Sequence, residues 1–183
     1  MVDYITKSEW RNFVSDLSLN ERASVRKKAT ERSPIGATFL SHSSKDADLI
    51  PGVITILENH GAIVYIDKKD PELPPYTSKE TASTLKRRID QSRKFILLAT
   101  ENSKTSSWVP WELGLADEKK GLSNVALVPA VEESYETSWT SWEYLGLYDR
   151  IVWGKIDTRP EHEWIVLDER QYTATPLGQW LSS

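Results

Sequence analysis

The chain has 183 residues, a length for one core with a short appendage, and its 27% charged and 39% hydrophobic residues are those of a globular domain. Its 23 basic and 27 acidic residues leave a net charge of −4, which gives no positive field to hold nucleic acid or an anionic lipid surface, and its apolar runs fall far short of the ~20 residues of a membrane span. There is no cysteine and there are three scattered histidines, so disulfides, thiolate zinc sites and cysteine nucleophiles are excluded, no metal site is expected, and carboxylates, hydroxyls and amides must carry any chemistry.

The opening Met1-Val2-Asp3-Tyr4-Ile5-Thr6 lacks the basic then apolar layout of a signal peptide, which makes the cytoplasm the expected compartment. Residues 6–32 are expected to be helical. Thr6 and Glu9 have the spacing of a capping box, and Trp10, Phe13, Val14 and Leu17 form one apolar stripe. The stretch from Asn20 to Arg32 carries five basic and two acidic residues and reads as a solvated helix ending at Ser33-Pro34. Residues 1–33 are thus expected to be an N-terminal helical extension and 34–183 the main domain.

From Pro34 onward short apolar runs alternate with helical periodicity, the pattern of a parallel sheet with crossover helices. Ala37–Ser41, Ala62–Ile66, Phe95–Ala99 and Val125–Val131 are the first four expected strands, and Arg150–Trp153 and Trp164–Leu167 continue the pattern. Between them Ser43 or Ser44 should cap a helix with Ile50, Val53, Ile54 and Leu57 inward, kinked at Pro51 and closed by Gly61. Thr77 and Glu80 should cap a second helix, and a third should run from Trp108 to Lys120, closed by Gly121. Thr175-Pro176 should start a short last helix.

Ligands of open α/β sheets sit beyond the carboxyl ends of the strands, where strand order reverses. Three segments lie there: Ser41-His42-Ser43-Ser44, the loop from Asp67 to Ser78, and Thr100-Glu101-Asn102-Ser103 with the helix it feeds. On that helix Glu112 is expected to share a face with Trp108 and Leu115, apart from a core stripe of Val109, Leu113 and Ala116. A carboxylate beside a large aromatic suits a cationic or sugar-like transition state; a glutamate interacting with the helix dipole is the plainer alternative. His42 could be an acid or base or a structural histidine, and Asp67 could position a ligand or cap its own loop. No glycine-rich phosphate cradle is present.

Taken together, Phe39-Leu40-Ser41-His42-Ser43-Ser44-Lys45-Asp46, then Val64-Tyr65-Ile66-Asp67, then Ser106-Ser107-Trp108-Val109-Pro110-Trp111-Glu112-Leu113 resemble a bacterial Toll/interleukin receptor (TIR) domain over about 34–183. The resemblance implies an α/β, flavodoxin-like parallel sheet in the order 2-1-3-4-5. It also implies cleavage of the nicotinamide–ribose bond of NAD, with NAD as substrate and no separate cofactor, and it makes Glu112 of the Trp-x-x-x-Glu motif the catalytic residue. Substrate contacts are expected from Ser41, His42, Ser43, Ser44, Asp67, Lys69, Ser103, Trp108 and Trp111. Stand-alone bacterial proteins of this kind resemble the TIR enzymes of Thoeris-type anti-phage systems, which implies a nucleotide signal received by a separate effector protein, and self-association through TIR–TIR contacts. The loop after Asp67 lacks the family's usual Pro-Gly turn. The same fold also serves as a non-catalytic interaction module, and a nucleoside deoxyribosyltransferase-like enzyme shares a similar sheet and a glutamate nucleophile.

Overall fold

The computed structural model describes residues 2–67, 79–134, 145–156 and 159–183. Lys69 and the helix cap expected at Thr77 lie outside them. In chain order the elements are β1 (Val2–Asp3), β2 (Ile5–Thr6), α1 (Lys7–Asn12), α2 (Leu19–Glu31), β3 (Thr38–Ser41), α3 (Ile50–Asn59), β4 (Val64–Tyr65), α4 (Lys79–Gln91), β5 (Lys94–Ala99), α5 (Glu101–Lys104), α6 (Val109–Lys120), β6 (Val125–Val131), β7 (Asp149–Lys155), β8 (His162–Asp168), β9 (Thr173–Pro176) and α7 (Leu177–Ser182).

Among the described residues one sheet runs β4-β3-β5-β6-β7-β8-β9. Its first five strands are parallel, and β8 and β9 add antiparallel strands at the far side. Counting from β3, the parallel part has the expected order 2-1-3-4-5. The central strands are buried along their whole length and their side chains alternate between two cores. Leu40, Ile96, Leu98, Ala126 and Val128 face α3, α7 and the N-terminal segment. Phe39, Phe95, Leu97, Val125 and Leu127 face α4 and α6.

Several local expectations change. Ser43 caps a single 3₁₀ turn at Ser44–Asp46, and α3 starts only at Ile50. Pro51 therefore sits in the first turn of α3, where its missing N–H costs nothing, and it starts the helix without kinking it. Thr175 does not cap the last helix as expected: it lies in β9, and Pro176 takes the N-cap position of α7 without a side-chain bond. The span expected as one helix over 6–32 is two helices, each opened by its own capping box, at Thr6/Glu9 and Ser18/Glu21.

The first residues are also part of the sheet. Beyond the Ala126–Asp149 and Leu127–Arg150 pairs, β6 and β7 have no further partners in each other. There β2 pairs with Ala130 and Val131 of β6, and β1 with Trp153 and Gly154 of β7. Trp10 is buried against Trp164 and Phe13, with ring centroids 5.3 and 5.4 Å away. Helix α2 covers the outer edge of β4, where the Ala29 carbonyl accepts the Ile66 N–H at 3.3 Å and the Arg32 guanidinium donates to the Val64 carbonyl at 3.0 Å. That edge is thereby closed to pairing with another chain. No helix among the described residues is long and apolar enough to cross a membrane.

Candidate active site

Strand pleating and helix periodicity bring two predicted residues together. Ser41 ends β3 two positions after Phe39, so it points to the same face, toward α6, and in the sheet it lies beside Leu97 of that face. On α6, Val109, Leu113 and Ala116 are buried as expected. Glu112, however, lies on that stripe: 109, 112, 113 and 116 have the i, i+3, i+4, i+7 spacing of one apolar face. Its side chain is 0% exposed, which corrects the expectation of a separate, more open face. The Ser41 hydroxyl donates to Glu112 Oε2 at 2.5 Å. A carboxylate placed in a core stripe costs several kcal/mol of desolvation, so the position is not one that folding alone selects.

Two tryptophans precede Glu112 at the start of α6. Trp108, half-buried, caps α6 and meets Trp111 edge to face at 5.5 Å. Trp111 is 36% exposed, and the Lys86 ammonium of α4 lies 5.8 Å from its ring centroid. The ammonium lies over the ring, so the two residues make a cation–π contact between α4 and α6.

Other predicted residues hold the loops themselves. His42 is buried at the end of β3, Ser43 accepts the Lys45 N–H at 3.4 Å, and Ser44 is exposed on the turn. Ser103 is buried in a capping box with Thr100: its Oγ accepts the Thr100 N–H at 2.9 Å, and its own N–H donates to Thr100 Oγ1 at 3.0 Å. The Asp67 carboxylate accepts the Tyr65 hydroxyl at 2.9 Å and pairs with Arg88 of α4. Burial, and then the adjacent Asp67 charge, push the Tyr65 phenol well above the usual range. Asp67 is thus tied back to the domain at the point where the 68–78 segment begins, and Lys69 lies outside the described residues.

Two contributors carry no signal that periodicity alone would flag. Asp46 is 2% exposed and accepts from Thr100 Oγ1 and Asn102 Nδ2, both at 2.6 Å. Arg88 is identified only by its partner, Asp67. Among the described residues no group of three or more histidine, aspartate or glutamate side chains is placed to hold a metal ion.

A family model described as TIR domain matches residues 38–164. The chain is similar to "Probable 3' cyclic ADP-D-ribose synthase ThsB'" of Bacillus cereus (strain MSX-D12), 38% identical over 157 residues that cover 84% of this chain and 79% of that protein. It is also similar to "Putative cyclic ADP-D-ribose synthase TIR2" of Cytobacillus dafuensis, 28% identical over 155 residues, which span 76% of this chain and 40% of that protein. The matched segment holds the parallel sheet, the Ser41–Glu112 pair and the Trp-x-x-x-Glu motif, and by these matches the chain belongs to the TIR domain family.

Proposed function

We propose that the chain cleaves the nicotinamide–ribose bond of NAD and closes the remaining ADP-ribose into a cyclic nucleotide, a signal in bacterial defence against phage. The observation that carries this is the buried Glu112 carboxylate, held by Ser41 within the Trp-x-x-x-Glu motif of a chain similar to a protein named as a cyclic ADP-D-ribose synthase.

The chemistry suits a single carboxylate. Nicotinamide leaves a pyridinium with the electrons of the C–N bond and departs as a neutral base, so no acid has to protonate it. The ribose left behind has oxocarbenium character, which a negative charge stabilises. Ser41 fixes the orientation of that charge, and Trp108 and Trp111 supply a surface for a base. A hydroxyl of the same molecule then attacks the anomeric carbon, and its proton passes to Glu112 or solvent. Internal attack, over attack by water, is supported by the similar protein's name as a cyclic ADP-D-ribose synthase. NAD enters as substrate and is consumed.

The burial of Glu112 means that the isolated chain holds its carboxylate shut. Substrate entry requires opening, and self-association through TIR–TIR contacts is the step we assign to it. A nucleotide product that diffuses to a separate effector protein completes the scheme. The test is incubation of the purified chain with NAD over a range of concentrations, with nicotinamide and nucleotide products separated by chromatography and mass. A cyclic product, lighter than ADP-ribose by one water, is expected; linear ADP-ribose alone would make the chain a hydrolase, and no nicotinamide under any condition would remove the enzymatic reading.

A further inference from the structure

The buried carboxylate of Asp46 takes no part in the chemistry above, although it lies between the two loops that form the site. The turn Ser44–Asp46 continues the Ser41–Ser44 loop, and Thr100 and Asn102 open the α5 segment that leads to Trp108 and Glu112. Two ties therefore span the same gap, Ser41 to Glu112 and Asp46 to Thr100 and Asn102.

The bonds at Asp46 have a direction. A carboxylate offers acceptors only, so the single proton of the Thr100 hydroxyl goes to Asp46, and the hydroxyl oxygen stays available for the Ser103 N–H at 3.0 Å. Asn102 is likewise turned so that its amide nitrogen faces Asp46 at 2.6 Å. One acceptor group thus sets the capping box of α5 and the side chain next to it. A buried carboxylate needs hydrogen-bond donors, and two reach this one.

We infer that Asp46 is a positioning residue for the reaction. It locks the loop carrying Ser41 against the segment that delivers α6, so that the Ser41–Glu112 pair keeps its geometry when substrate enters. This rests on Glu112 being the catalytic carboxylate, and misplacement of a reacting group by about 1 Å can cost ~10²-fold in rate.

The test compares Asp46→Ala, Asp46→Asn and the exchange Asp46→Asn with Asn102→Asp, in the full chain. In the exchange the new amide at position 46 can donate to a carboxylate at 102 while its carbonyl accepts the Thr100 hydroxyl. The readouts are kcat and KM for nicotinamide release per folded molecule, and amide hydrogen exchange over 100–103. We expect Asp46→Ala to lower kcat by ~10- to 100-fold with KM little changed and to speed exchange at 100–103, and the exchange variant to recover both. If Asp46→Ala does not fold, Asp46→Asn alone against the exchange variant gives the same comparison. A wild-type kcat in the folded single variant overturns the assignment, and so does an exchange variant that regains thermal stability without regaining kcat. A wild-type chain that releases no nicotinamide overturns the enzymatic reading instead; unchanged amide exchange in the single variants would still overturn the tie.

Discussion

The carbonyl oxygen of Trp10 occupies the space that a side chain at Gly52 would need: a Cβ added there would lie 2.1 Å from it. Helix α1 thus rests directly on the first turn of α3, beside which Arg11 pairs with Asp48 at 2.7 Å, while Lys7 ties α1 to Glu132 after β6 at 2.6 Å. At an open helical position Gly→Ala stabilises by about 1 kcal/mol. Here the obstacle is backbone, so Gly52→Ala is expected to destabilise by about 1–3 kcal/mol. Urea unfolding of the two proteins gives the sign, and a more stable Gly52→Ala would show that α1 is not seated on α3.

Deletion of residues 1–33 removes more than an appendage. It takes away the partners of β6 and β7 beyond Leu127 and Arg150, the buried Trp10, and the cover over the edge of β4. The truncated chain is expected to melt lower or aggregate; an equally stable, monomeric truncation would contradict this.

The sheet was legible because its central strands are buried on both faces and read as unbroken apolar runs. Helix α6 was legible from its stripe of Val109, Leu113 and Ala116. The strands at Val2–Asp3 and Ile5–Thr6 are too short to leave a periodic signal, and their pairing depends on a gap between β6 and β7 that sequence does not display. Helix α2 reads as solvated because much of what it supplies to the β4 edge is polar, the Ala29 carbonyl and the Arg32 guanidinium. Glu112 was singled out by its motif, whereas its burial was written in the 109, 112, 113, 116 spacing. A charge on a core stripe breaks the local pattern, and such a break is where a functional residue is to be sought. Asp46 became visible only once the loops after β3 and β5 were side by side.

Alkaline pH should probe the anchor at the start of the 68–78 segment. The Tyr65 phenol is held above its ordinary value of 10.0, first by burial and then by Asp67. Above pH 10.0 the unfolded chain therefore releases a proton that the folded chain keeps, and stability falls as pH rises. Tyr65→Phe lacks this group, so the stability difference in favour of the wild type should shrink between neutral pH and pH values above 10.0. Urea midpoints of both proteins across that range check it; a constant difference would contradict the buried, proton-holding phenol.

Activation should depend on assembly, since the isolated chain encloses Glu112. Nicotinamide release per molecule is expected to rise with protein concentration or crowding, and Lys69→Ala, in the segment after Asp67, to reduce that rise. Constant specific activity over a wide dilution series would show that opening needs no partner copy.

Ser41→Ala removes the hydroxyl that holds Glu112 Oε2. The lost bond to a buried carboxylate is expected to cost about 1–3 kcal/mol of stability. A parallel drop in kcat is expected, larger than that in Ser43→Ala, whose hydroxyl accepts the Lys45 N–H of the turn. Equal rates in the two variants would contradict a role for Ser41 in orienting the carboxylate.

Glu112→Gln removes the charge on which the proposed bond cleavage depends. The amide keeps an acceptor for Ser41 and nearly the same shape, but it carries no charge to stabilise an oxocarbenium-like centre. Loss of one preorganised electrostatic group costs ~10²–10³ in rate, about 2.7–4 kcal/mol. Burying an amide costs less than burying a carboxylate, so thermal stability should be unchanged or higher. The measurement is nicotinamide release by both proteins at a concentration where the wild type is active, with melting temperatures recorded on the same samples. The variant is expected to have lost the activity and to melt no lower than the wild type; nicotinamide release by Glu112→Gln at the wild-type rate would show that Glu112 is not the catalytic carboxylate.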